Sequence, residues 1–124
     1  MEYTIEKVLP CHKRLNHLVN ELLEKEGICR DKNLDYTCAI TDKAGNVIAT
    51  GSCFGNTLRC FAVDESHQGE GLLNQIVTHL MEIQITRGNT HLFVYTKCES
   101  AGFFRDLGYY IVAEVPGIVS FLEN

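Results

Sequence analysis

A chain of 124 residues with 45% hydrophobic composition is long enough for one domain with a packed core and too short for several. Its formal net charge is −5, from 16 acidic and 11 basic residues, and no basic run exceeds the pair Lys13–Arg14, which argues against nucleic acid as a partner. No apolar stretch reaches the roughly 18 residues of a membrane span, and residues 1–10 lack the basic start and apolar run of a signal peptide, so a cytoplasmic chain without a membrane partner is expected.

Residues 3–8 alternate as a first strand with Tyr3 and Ile5 on one face, ended by Pro10. Over residues 12–26, Leu15, Leu18, Val19, Leu22 and Leu23 fall on one helical face, and Gly27 is the natural stop. Residues 31–35 form a short polar connection where a substrate loop has room. Three strands follow at 36–41, 47–54 and 57–63, separated by the turn chemistry of Asp42–Asn46 and Gly55-Asn56, and they read as an antiparallel meander. After the polar, glycine-rich stretch 64–71, the residues Leu72, Leu73, Ile76, Val77, Leu80 and Met81 keep a 3.6-residue period to Arg87-Gly88. An apolar strand at 91–96 comes next, then a short helix at 100–107 with Ser100 as its expected cap and Gly108 as its stop. Strands at 109–113 and 118–122, parted by Pro116-Gly117, close the chain. The order predicts an α/β (α+β) mixed sheet of six or seven strands, mostly antiparallel, with one parallel pair and about three flanking helices.

Six cysteines occur with no CxxC pair, and the nearest spacing is seven residues. Cys38, Cys53 and Cys60 fall on inward-looking strand positions, so the six read as free thiols rather than disulfides or a zinc site. His12, His17 and His79 have no partner at helical spacing, and no metal is expected.

The sharpest local signal runs from Val63 to Leu73. A strand ends, glycines follow, and an amphipathic helix begins. The unsatisfied N–H groups and partial positive charge of such a helix start attract an anion, and glycine lets the backbone turn toward it. A pyrophosphate can be held there without a lysine. The stretch has neither the Walker pattern nor G-x-G-x-x-G, because residue 74 is Asn. A plain strand–helix turn with two glycines is the alternative reading.

Gln68-Gly69-Glu70-Gly71-Leu72-Leu73 resembles the Gln/Arg-x-x-Gly-x-Gly/Ala signature of GNAT acyltransferases, with Gln68 and Gly71 matching and Leu73 in place of the usual small residue. Ser100 to Tyr109 resembles the later aromatic stretch of the same family. The segments 33–38, 50–53, 56–60, 67–74 and 89–93 are in addition similar to the N-terminal, GNAT-like domain of the bacterial citrate lyase ligase family. The resemblance covers nearly the whole chain and implies one GNAT domain over 1–124. It implies acetyl-CoA or CoA as cofactor, with the pantetheine arm against Phe61, Ala62 and Val63 in a wedge between diverging strands. The pyrophosphate would lie on the amides of Gly69, Glu70, Gly71, Leu72 and Leu73 after Gln68, with Ser100, Phe103 and Phe104 alongside. The resembled ligase uses ATP and acetate to acetylate the prosthetic group of the citrate lyase acyl carrier protein, which makes a carrier protein the expected partner. Its ATP chemistry belongs to a C-terminal nucleotidyltransferase domain whose His-x-Gly-His motif is absent here.

The same resemblance places a proton-donating Tyr at the second aromatic of the short helix. Here that residue is Phe104, which has no proton to give. Tyr95 and Cys98 are the nearby substitutes, and Tyr95 also reads as core. His67 and His91 are the possible bases, while Asp35, Glu65 and Glu99 read as surface carboxylates. Cys60 or Cys98 is a possible nucleophile, although no His/Asp pair is legible beside either. Three readings stay open: an acyltransferase domain, a docking module for a pantetheine-like arm, and a structural domain of the ligase.

Overall fold

The computed structural model describes residues 3–115 and 119–124. Its elements are β1 (Thr4–Lys7), α1 (Lys13–Lys25), β2 (Tyr36–Thr41), β3 (Val47–Phe54), β4 (Thr57–Val63), α2 (Leu72–Thr86), β5 (Phe93–Lys97), α3 (Ala101–Asp106), β6 (Tyr110–Val115) and β7 (Val119–Glu123). They form a seven-stranded sheet in the order β1-β2-β3-β4-β5-β7-β6. Every neighbouring pair is antiparallel except β4 and β5. The strand over 91–96 begins two residues later than its sequence implies, and the Pro116-Gly117 connection lies outside the described residues.

Alternation along the strands divides the core in two. Ala39, Val47, Cys60 and Ala62 face Val19, Leu22 and Leu23 of α1. Cys38, Ile40, Ile48 and Leu58 face the opposite way, toward Leu72, Ile76, Val77 and Leu80 of α2 and Phe104 of α3. The helical stripes seen in the sequence are thus the faces that close the sheet on either side. Ser100 does not cap α3: its backbone is already helical and its side chain makes no capping bond. A 3-10 turn at Cys98–Ser100 leads directly into α3 and takes over the entry that a cap would have defined.

Two features of β3 and β4 set up the site. Their register shifts between Thr50 and Ser52, whose partners are Ala62 and Arg59, so Cys60 and Phe61 bulge opposite Gly51. Cys60 has φ 57, the only positive φ of a non-glycine among the described residues. Gly51 is required by space: a Cβ there would stand 2.5 Å from Ile76 Cγ2 and 3.1 Å from the Phe61 ring. Glycine therefore lets α2 and the bulge press on the same spot of the sheet.

Candidate coenzyme A wedge

The parallel ladder between β4 and β5 holds only at Thr57↔Phe93 and Leu58↔Val94. Beyond it the strands separate, and β4 from Arg59 to Val63 has no ladder partner on that side among the described residues. The bulge at Cys60 lies just past the last pair and turns β4 away, because bulges bend and twist the strand that carries them. The result is a wedge with its vertex at Leu58/Val94 and its open end beside Val63.

Two clefts occupy the wedge. The inner one, about 250 Å³, is lined by Cys60, Phe61, Tyr95 and Thr96, with Cys29 and Asp31 of the α1–β2 connection over it. The outer one, about 340 Å³, is lined by Phe61, Ala62, Val63, Gln68, Leu73 and Ser100, with Glu26, Thr96, Lys97 and Glu99 completing it. Phe61, Thr96 and Lys97 belong to both, so the clefts adjoin. Phe104 is fully buried, with its ring 5.3 Å from Phe61 and 5.3 Å from the half-buried Phe103.

The loop at the open end is shaped by local bonds. Asp64 accepts from Ser66 N and Oγ at 3.0 and 2.8 Å, and these bonds hold its carboxyl below the usual carboxylate range. Gln68 Nε2 donates to Val63 O at 3.0 Å and ties the loop back to β4. Gly69 and Gly71 have φ 82 and 78, and nothing stands within 4 Å of a Cβ added at either. Their need is for backbone conformation, not space. Gly71 is the α2 N-cap and no side chain caps the helix. The backbone N–H groups of residues 69–74 have no acceptor among the described residues. These six donors lie at the positive end of a 15-residue helix, where the backbone polarity favours an anion, and are a candidate cradle for one.

Glu70 is engaged by side chains at the loop. Its carboxylate accepts from Tyr3 OH at 2.6 Å and pairs with His67 Nδ1 at 3.0 Å. The bond to Glu70 is also the main reason why the Tyr3 phenol is pushed up from its ordinary pKa. His67, named from sequence as a base, is thereby a strut of the loop and lines neither cleft. Cys98 also lies outside both, its Sγ 3.4 Å from Val115 O and from Ser120 Oγ. His91 pairs with Glu123 at 2.7 Å, away from the wedge. Tyr95 is in the inner cleft, with the Arg59 guanidinium 5.3 Å over its ring and Arg59 itself paired with Asp31 at 2.6 Å. Among the described residues no three His, Cys, Asp or Glu side chains converge so as to hold a metal ion, and no helix is long and apolar enough to cross a membrane.

Sequence reasoning missed Glu26, at the end of α1. Its Oε2 is buried beside the outer cleft and has no hydrogen-bond partner among the described residues. Only the fold brings it to β4, and its signal in the sequence is no more than a carboxylate before the stop at Gly27.

The sheet order, the single parallel pair and the bulged β4 define the GNAT fold. N-acetylglutamate synthase from Neisseria gonorrhoeae, solved with coenzyme A and N-acetyl-glutamate, superposes on the whole of this chain through 35% of its own, with a TM-score of 0.72 at 16% identity. Within that fold the chain is related by sequence to one region of the citrate lyase ligases. It is 31% identical to the [citrate [pro-3S]-lyase] ligase of Haemophilus influenzae over 96% of this chain and 35% of the relative, and 33% identical to that of Escherichia coli K12 over 86% and 30%. The chain thus spans about a third of the length of the curated relatives it matches. No family model matches it.

Proposed function

We propose that the wedge binds coenzyme A, its acyl thioester or another pantetheine arm carrying a pyrophosphate, and that the chain is an acyltransferase domain of the GNAT type. The observation that carries this reading is the row of unpartnered amides over residues 69–74 at the open end of the wedge. These amides would hold the pyrophosphate. The free edge of β4 at Phe61 to Val63 would pair with the amide groups of the arm. Glu26 Oε2 supplies an acceptor that an N–H of the arm would satisfy. Bound, the thioester supplies an activated acyl group. Tyr95 brings a phenol to the inner cleft, where Phe104 brings none, and it is the residue we assign to hold the proton for a departing thiolate. In a protein like the related ligases, the arm would be the prosthetic group of the citrate lyase carrier protein, and the chemistry that consumes ATP would lie outside residues 1–124.

A second reading is favoured by Phe104. Its side chain is fully buried and cannot take the proton-donor role, so the wedge can serve as a docking site for a carrier-protein arm without performing transfer.

Calorimetric titration with CoA, acetyl-CoA and pantetheine separates these possibilities. CoA is expected to bind saturably and more tightly than pantetheine, which lacks the pyrophosphate. In Gly71→Leu, a side chain forced into the left-handed region costs about 1–2 kcal/mol and tilts the amide row, so CoA affinity is expected to fall at least tenfold with the fold retained. Unchanged CoA affinity in that variant would remove the cradle assignment. Thiol release from acetyl-CoA with amines or a carrier-protein thiol as acceptor supports transfer; binding without release supports docking.

A further inference from the structure

A cavity of about 930 Å³, larger than either wedge cleft, lies between α1, the end of β1 and the α1–β2 connection. It is lined by Arg30, whose Nη1 donates to Asn16 Oδ1 and Asn20 Oδ1, both at 3.0 Å, and whose Nη2 reaches Thr37 Oγ1 at 3.4 Å. All three acceptors are neutral. No carboxylate pairs with Arg30 among the described residues, and its Nε–H and one Nη2–H have no acceptor there. Burial lowers its pKa, with Cys60 opposing the shift. The two aspartates that also line the cavity are taken: Asp31 by Arg59 at 2.6 Å and Asp35 by Arg87 at 2.9 Å. Lys7 and Lys32 add positive charge, against Glu24 alone. A chain of net charge −5 thus gathers unneutralised cations around one cavity.

A half-buried guanidinium is costly to leave without a counter-charge, and one fixed by neutral side chains is held ready for an anion. We propose that this cavity binds the carboxylate of a small organic acid on Arg30. Two N–H groups remain on the fork, and a carboxylate offers two oxygens to match them. Gly27, Ile28, Cys29 and Asp31 wall both this cavity and the inner cleft. A carboxylate held here belongs to a ligand next to the proposed thioester end of the wedge. Naming that ligand the acyl acceptor rests on the function proposed above; the anion site itself does not.

The Arg30 Nε–H signal in a nitrogen-15 spectrum of the 124-residue chain, assigned by its loss in Arg30→Lys, reads the site directly. Titration with sodium acetate, sodium succinate and inorganic phosphate at fixed ionic strength is expected to give a saturable shift with the carboxylates, with dissociation constants on the order of 1 mM. Backbone signals of residues 27–37 report the same event in the variants. Arg30→Met is expected to abolish saturation, and Arg30→Lys, which keeps the charge and the fold but loses the fork, to weaken it at least fivefold. No saturation in the wild type, equal saturation in Arg30→Lys, or tighter binding of phosphate than of either carboxylate would overturn the proposal. CoA is titrated into the same samples: carboxylate binding without CoA binding would sink the wedge reading and leave the Arg30 site standing.

Discussion

Glu26 holds one carboxylate oxygen against the wedge with no donor to satisfy it among the described residues. A buried acceptor left unmade costs roughly 1–3 kcal/mol, so the free protein carries a penalty that a ligand N–H would relieve. Glu26→Gln keeps the shape and replaces one oxygen by a donor. We expect it to raise the melting temperature of the free protein slightly and to weaken CoA binding several-fold, read by thermal melts with and without CoA. Tighter CoA binding in Glu26→Gln would contradict the assignment. The turn at Gln68, Gly69 and Gly71 was legible in the sequence because left-handed backbone, φ 82 and 78 at the two glycines, favours glycine at particular places. Glu26 was not, because its role depends on α1 ending beside a strand some 35 residues on. His67 shows the converse: an imidazole beside a glycine-rich loop can be picked out in the sequence, but its contacts with Glu70 and Tyr3 come only from the fold.

At the scale of elements, the wedge is a product of β4, and β4 is shaped by what presses on it. The periodicities of α1 and α2 and the meander of β2 to β4 could be read directly, since amphipathic patterns follow burial. The bulge could not. Cys60 has no intrinsic preference for φ 57, and it adopts that value where the shifted register of β3 and β4 and the packing of Phe61 under α2 demand it. Gly51 is the sequence's trace of that arrangement. Gly51→Val places branched carbons where a Cβ alone would meet Ile76 Cγ2 at 2.5 Å. Overpacking of this kind costs about 1–3 kcal/mol. Chemical denaturation of Gly51→Val should show a loss in that range, and its CoA affinity should fall because Phe61 floors both clefts. A variant as stable as the wild type would mean that α2 does not seat on Gly51 as described.

For the whole molecule, the sheet separates two cores, and the cysteines report on them. Cys38, Cys53 and Cys60 are buried, Cys11 and Cys29 are exposed, and Cys98 is half-buried. Burial pushes the Cys38 thiol up to about 12 and Cys53 up to about 11. A thiol-reactive dye should therefore label Cys11, Cys29 and Cys98 in the native protein and reach the other three only on unfolding. The same shifts set an alkaline limit. These thiols hold their protons more tightly in the folded chain than in the unfolded one, so their contribution to stability is complete below about pH 9 and is lost as pH rises toward 11–12. Denaturation midpoints should fall across that window, and Cys38→Ala should flatten the fall. Rapid labelling of all six thiols in the folded state would contradict the two-core packing.

The most direct measurement is a nitrogen-15 spectrum of the uniformly labelled chain during addition of CoA. The backbone amide signals of Gly69, Glu70, Gly71, Leu72 and Leu73 are expected to shift saturably and farthest, with those of Phe61 to Val63 following. If CoA binds while these five amides stay in place, or if none of them responds at saturating CoA, the wedge is not the site.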